Sequence, residues 1–209
     1  YPTADGYKWN VEKASSLPVN FEKTGWATIF APVALEIPDG VAAYYVMEDG
    51  IKNGYISLTT IEEGVIPANT GVILYAKEAD GTDKTYEFAI TDCSTELTAN
   101  LLKGSIAQSI IEEKGYVLAV VEGAVGLYSA ITEGLAEETF LNNSHKAYLP
   151  ASAIPAALQQ STGFRFGEGV TDIDNVKTEN IKSKTIYDMQ GRKVENPAKG
   201  IYIINGKKT

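Results

Sequence analysis

Thiol and imidazole chemistry have almost no material in this sequence. Its 209 residues include one Cys, Cys93, and one His, His145. A lone Cys forms no internal disulfide, and one Cys with one His falls short of the four ligands of a structural zinc site. Basic residues are also scarce: 18 Lys and Arg stand against 27 Asp and Glu, a formal net charge of -9. That balance argues against a nucleic-acid partner, which requires a basic face. No apolar run approaches the ~18 residues of a transmembrane helix. A Gly-rich phosphate loop and a Gly-x-Ser-x-Gly elbow are both missing. No cofactor or metal is expected from these counts. Disorder is excluded from the other side, by a hydrophobic fraction of 44%.

What is abundant points to strands and turns. The chain carries 19 Gly, 8 Pro and 12 Tyr. Tyr, with an apolar ring and a polar tip, suits half-buried strands. Short strand-like runs recur: 26–31, 41–47, 55–59, 85–90, 146–150 and 163–166. The run Gly71–Ala76 is almost continuously apolar, the pattern of a strand buried on both faces. Residues 115–121 and 126–130 flank the turn Glu122-Gly123-Ala124 and form the clearest hairpin. Ala153 to Gln160 reads as one short helix with Pro155 in its first turn. Elsewhere no segment sustains helical apolar spacing. The expected fold is all-β, a two-sheet β-sandwich with a β-barrel as the alternative, followed by a small C-terminal β tail. Val65 to Leu74 echoes Leu141 to Leu149, a polar turn leading into an apolar strand. The echo is too weak to support a duplicated fold.

Charge divides the chain. Residues 1–168 hold 22 acidic and 10 basic residues, a net -12, whereas residues 169–209 hold 5 and 8, a net +3. The change of sign falls at Gly167-Glu168-Gly169. The expected organisation is an N-terminal leader at 1–8, a β-sandwich body at 9–168, and a linker plus small β tail at 169–209.

The tail contains Tyr187-Asp188-Met189-Gln190-Gly191-Arg192 and then Gly200-Ile201-Tyr202-Ile203 with the pair Lys207-Lys208. This pattern resembles the C-terminal sorting domain of the type IX secretion system, found on secreted proteins of Bacteroides and Prevotella. The body is similar to a β-rich region that precedes such tails. The matching residues include Gly25-Trp26-Ala27-Thr28, Ile66-Pro67-Ala68-Asn69-Thr70-Gly71, Asn100-Leu101-Leu102-Lys103-Gly104 and Phe164-Arg165-Phe166. The resemblance implies a secreted or cell-surface protein. It implies no reaction.

Candidate chemistries each meet a plainer reading. Cys93 and His145 occur in the order used by papain-like proteases. Asp92 stands beside the thiol, however, and disfavours its thiolate. The adjacent acids Glu62-Glu63, Glu112-Glu113 and Glu137-Glu138 point to opposite faces of any strand, so they build no glycosidase pair. Asp80-Gly81-Thr82-Asp83 and Asp172-Ile173-Asp174-Asn175 offer oxygens but do not match a calcium loop. Aromatic residues are the remaining resource. Trp9, ahead of the clearest strands, and Tyr45, the neighbour of Tyr44 on one strand, are the candidate ligand-binding platform. These observations lead to an expected non-catalytic accessory or adhesion-type module whose partner is a glycan or a surface protein. A carbohydrate-binding module, a structural segment of a larger surface protein and a carboxylate hydrolase are the alternatives, in that order.

Overall fold

The structure is a computed structural model describing residues 14–52, 54–93, 96–136 and 138–167, together with four two-residue strands near the C-terminus. The chain divides into two compact units, Tyr1–Asp172 and Ile173–Thr209. In the first, β1 (Ser16–Phe21), β2 (Trp26–Ala31), β3 (Ala34–Glu36), β4 (Val41–Tyr45) and β5 (Ile51–Lys52) come first. They are followed by β6 (Tyr55–Ile56), β7 (Thr59–Thr60), β8 (Val65–Ile66), β9 (Thr70–Ala76) and β10 (Lys84–Thr91). The remainder is β11 (Lys103–Ser105), β12 (Ser109–Ile111), β13 (Gly115–Val121), β14 (Ala124–Ser129), β15 (Phe140–Asn142), β16 (Lys146–Pro150) and β17 (Gly163–Phe166). The second unit contains β18 (Ile186–Tyr187), β19 (Lys193–Val194), β20 (Ile203–Ile204) and β21 (Lys207–Lys208), paired in the order β19-β18-β20-β21.

The all-β class is as expected. The first unit adds a third layer to the two sheets expected of a sandwich. A central sheet, β2-β9-β4-β7, lies between the sheet β1-β10-β3-β8 and a curled, half-barrel sheet, β11-β16-β13-β14-β17-β6-β5. Side-chain alternation on the central strands makes this arrangement. Val72 and Leu74 of β9 join Phe21, Leu35 and Phe88 in one core, whereas Ile73 and Tyr75 join Tyr116, Leu127, Leu149 and Phe164 in the other. Period-two geometry sends successive residues to opposite faces, so an unbroken apolar strand needs a sheet on each side. Each large aliphatic residue so buried contributes about 1.5–3 kcal/mol.

A duplication underlies the pairing. Strands β2, β3, β4, β7, β8 and β9 make the antiparallel pairs β2–β9, β3–β8, β4–β7 and β4–β9. Strands β11 to β16 repeat them as β11–β16, β12–β15, β13–β14 and β13–β16. Registers coincide as well. Tyr44 opposes Ile73 as Tyr116 opposes Leu149, and Leu35 opposes Ile66 as Ser109 opposes Asn142. The residues before β9 and β16, Asn69 and His145, both hold positive φ, 56° and 58°. Their N–H groups bond equivalent carbonyls, Ala31 at 2.7 Å and Ser105 at 2.8 Å. Ile61 N–H to Ala43 and Ala130 N–H to Gly115, each 2.9 Å, complete the correspondence. The echo between residues 65–74 and 141–149, set aside in the sequence, therefore marks a real structural repeat. It was faint because strand pairing is backbone geometry, which many side chains satisfy.

The repeats differ where one of them is covered. Strands β1 and β10 lie over the first repeat only, where Ile66 is an apolar core residue. Its counterpart in the second repeat is Asn142, 2% exposed. Asn142 donates through Nδ2 to Ser105 Oγ at 2.7 Å and to the Lys146 carbonyl at 3.0 Å, so the buried amide is satisfied.

Local readings fare unevenly. Val121 pairs with Ala124, leaving Glu122-Gly123 as a two-residue loop with φ of 52° and 79°, the type I′ pattern. The expected helix at Ala153 to Gln160 is instead a pair of three-residue 3-10 turns, Ala151–Ala153 and Ala156–Leu158. Ile154, which precedes Pro155, is extended at φ -107° and ψ 156°. The proline ring excludes the helical region for its predecessor, which separates the turns.

Where the repeats meet, Gly104 of β11 lies against Phe30 of β2, and a Cβ there would overlap the Phe30 side chain. Gly104→Ala is expected to destabilise the protein by about 1–3 kcal/mol through overpacking. Urea unfolding measures it; an unchanged midpoint would mean that the layers separate freely at this point.

Candidate binding groove

Two strand edges create a groove in the first unit. Strand β2 is the edge of the central sheet. Its Phe30 donates N–H to the His145 carbonyl at 3.0 Å, and His145 Nδ1 lies 3.1 Å from the Phe30 carbonyl oxygen. That oxygen only accepts, so Nδ1 carries the proton. Toward the start of β2 this bridging stops. Strand β13 pairs with β16 through Gly115 and Tyr116 only, while its pairing with β14 continues to Val121. Past Tyr116 the outer edge of β13 therefore faces away from the sheet. Between the two edges lies a groove of about 330 Å³.

Consecutive residues line each wall, Trp26 to Thr28 on one side and Val117 to Val120 on the other. Successive side chains of a strand alternate in direction, so a wall of consecutive residues is a strand seen edge-on. The closing pair of a two-residue hairpin exchanges both hydrogen bonds, and the pattern alternates from there. Counting back from Val121, the backbone groups of Leu118 and Val120 point outward, into the groove. Asn20, Glu22 and Thr24 stand on the β1–β2 side, and Leu141, Asn143 and Lys146 on the other. The rim carries both charge signs. Val120 is 49% exposed and Leu141 38%, and Leu141 pairs with the equally outward Ile110. Exposed apolar Val120 and Leu141 thus stand at the open edge among polar residues.

Trp26 anchors the inner wall. Its ring centroid lies 4.6 Å from that of Tyr75, 4.7 Å from Phe166 and 6.1 Å from Tyr44. A ring so enclosed by other rings stiffens the wall and offers little face for a sugar.

The expected platform of Trp9 and Tyr45 is described only at Tyr45. Trp9 lies outside the described residues. Tyr45 is half-buried and packs against the first-repeat core, while Tyr44, 1% exposed, enters the core shared by the repeats. Alternation sends Tyr44 and Tyr45 to opposite faces, and both faces of this sheet are covered. The aromatic residue that stands out is Tyr55, 52% exposed, paired with Arg165 across parallel strands β6 and β17.

Other candidates resolve into structural roles. His145 is engaged with Phe30 as above, and Cys93, half-buried, follows the end of β10. Glu62 and Glu63 are both exposed. Glu113 accepts from Ser152 Oγ at 2.5 Å and lies 3.8 Å from Lys103 Nζ, while Glu137 is outside the described residues. Lys114 Nζ donates to the carbonyls of Gln159 and Ser161 at 2.8 and 3.2 Å, and Tyr116 Oη turns its one proton to the nearer of the same two carbonyls, at 2.9 Å from Gln159 and 3.2 Å from Ser161. Burial pushes the Tyr116 hydroxyl pKa upward, which keeps it a donor. These bonds hold the segment after the second 3-10 turn against the core. Burial also raises Tyr148, with the charge of Glu113 adding to it. Among the described residues, no group of three or more His, Cys, Asp or Glu is placed to hold a metal ion.

What the sequence reading missed is the groove itself. Val117 to Val121 is apolar throughout, which reads as a buried strand. Only the register with β16 reveals that half of it lies at an open edge.

No family model matches the chain, and neither a curated protein nor a solved structure matches it.

Asp80, a former calcium candidate, accepts from Thr82 Oγ1 at 2.6 Å and Thr82 N–H at 3.1 Å, with Lys84 Nζ at 3.3 Å. The Thr82 bonds, then Lys84, lower its carboxyl pKa from 3.8 to about 2. A lowered folded pKa makes the ionised turn stabilising above the unfolded value, and that contribution fades as pH falls from 3.8 toward about 2. An NMR pH titration should place the Asp80 midpoint near that lower value in wild type and near the ordinary Asp range in Thr82→Ala. A wild-type midpoint in the ordinary range would refute the turn's hydrogen bonding.

Proposed function

We propose that this protein is a non-catalytic, secreted or cell-surface accessory module of adhesion type, and that the groove between β2 and β13 is its binding site. The observation that carries the reading is the juxtaposition of an open strand edge with the exposed apolar residues Val120 and Leu141. Monomeric proteins blunt such edges unless something pairs with them. The surface location draws on the resemblance of the tail, at residues 187–208, to a sorting domain. Nucleic acid is a poor partner for an acidic body, where phosphates meet net repulsion.

Carbohydrate binding is the second reading, favoured by Tyr55. An exposed ring on a strand that pairs with β17 at Arg165 provides a stacking face for a sugar. The two readings use different surfaces and are separable by mutation.

The full chain is to be applied to arrays of glycans and of extracellular proteins, as wild type, Val120→Arg with Leu141→Arg, and Tyr55→Ala. The groove reading expects a ligand whose binding falls at least tenfold in the Arg variant and is unchanged in Tyr55→Ala. Loss confined to Tyr55→Ala would transfer the site to the sugar surface. Equal binding by all three would remove both. Circular dichroism and melting temperature confirm that each variant is folded.

A further inference from the structure

The structural repeat indicates what the groove accepts. In the first repeat, the residue equivalent to Leu118 is Val46, because Tyr44 and Tyr116 occupy matching register positions. The carbonyl of Val46 is not left open. It accepts the N–H of Leu101 at 2.9 Å, in the segment that leads into β11. That segment is secured by Asn100, whose Nδ2 donates to the Gly71 carbonyl at 2.7 Å and whose Oδ1 accepts from Leu102 N–H at 3.0 Å. The chain's own Leu101, reached from a turn at Thr98-Ala99, thus covers the edge of the first repeat at Val46.

Among the described residues, the second repeat has no such cover. Ser105 and Ala31 are equivalent, so the counterpart of Leu101 is Ala27. Ala27 lies inside β2, opposite Leu74 of β9, and is 4% exposed in the first-repeat core. Strand β2 pairs with β9 over six residues, whereas β11 pairs with β16 over three. The longer pairing keeps Ala27 on its own sheet, and the corresponding place beside Leu118 is the groove. Strand β13 is also longer than its counterpart. Strand β4 ends at Tyr45 and turns into a 3-10 segment, Glu48–Gly50, but β13 runs on to Val121. The features that depart from the repeat are the ones that build the groove.

We propose that the groove binds an extended, uncharged, aliphatic segment of a partner protein by strand addition. The main-chain N–H of that segment is donated to the Leu118 carbonyl, as Leu101 donates to Val46. Alternate side chains then rest on Val120 and Leu141, whose exposure leaves room for them. Main-chain pairing supplies the affinity, and Val120 and Leu141 select aliphatic residues at alternate positions. The proposal rests on the groove being the binding site.

The test is selection of a displayed library of random nine-residue peptides on the full chain, followed by synthesis of the best binder. Enrichment of sequences with aliphatic residues at alternate positions is expected. In ¹⁵N-labelled protein, that peptide should shift the amide resonances of Leu118 and Val120. N-methylation of its central amide should weaken binding by about tenfold, the loss of a single hydrogen bond. Val120→Pro removes an outward N–H without touching the β13–β14 pairing and should weaken binding similarly at an unchanged melting temperature. The N-methyl comparison needs no variant, so misfolding of Val120→Pro leaves the test intact. Absence of enriched peptides, or binding indifferent to N-methylation, overturns strand addition. If an array glycan still shifts Leu118 and Val120 while no peptide does, the groove remains a binding site and only the peptide assignment falls. If neither ligand class moves those resonances, both fall.

Discussion

Strand β9 is buried along both faces, and the first unit is organised around that constraint. An apolar residue sits at every position from Val72 to Ala76, and each must reach a dry environment. Alternation divides them between two cores, so β9 requires a sheet on either side. Strands β1 and β10 supply the cover for Val72 and Leu74; β13, β14, β16 and β17 supply it for Ile73 and Tyr75. Glycine makes the close approach possible. Gly71 lies against the backbone of Leu102 and Lys103 and the Ala147 side chain, so the second repeat packs almost directly on β9.

Duplication explains both the regularity of the molecule and its exceptions. Two similar rolls of antiparallel strands share one core, formed by Tyr44 and Ile73 from the first and Tyr116 and Leu149 from the second. Each roll has an outer pair, β3–β8 or β12–β15. Only the first is extended by β10 and β1, and the second is left with an outer surface that exposes Ile110 and Leu141. The polar Asn142 stands where Ile66 stands in the covered roll. A hydrogen-bonded amide replaces a hydrocarbon contact where there is no third layer to provide one. The hairpin β5–β6, inserted between β4 and β7, crosses to pair with β17 and ties the first repeat into the curled sheet.

The groove follows from the same asymmetry. Pairing of β2 with β9 and divergence of β13 from β16 separate two edges that lie close in the related half. Neither rim charge, Glu22 nor Lys146, dominates it, and its walls combine strand backbone with aliphatic side chains and with polar ones such as Asn20, Thr28 and Asn143. Its main-chain groups at strand spacing are of the kind another strand satisfies.

Composition and local pattern by themselves determined the all-β class, the hairpin at Glu122-Gly123 and the double-sided burial of β9. Each depends on period-two alternation or on turn chemistry, which neighbouring residues carry. The same reasoning stopped short at Tyr45, which alternation placed opposite Tyr44 but could not place in solvent or in a second core. It also missed the 3-10 turns around Pro155, where a single ring decides between helix and turn. The third layer, the repeat and the groove were decided by tertiary structure. They depend on which distant strand stands beside which, Leu101 against Val46 but Ala27 against Leu74. Strand pairing is made by backbone groups that every residue shares, so side-chain sequence records it only faintly.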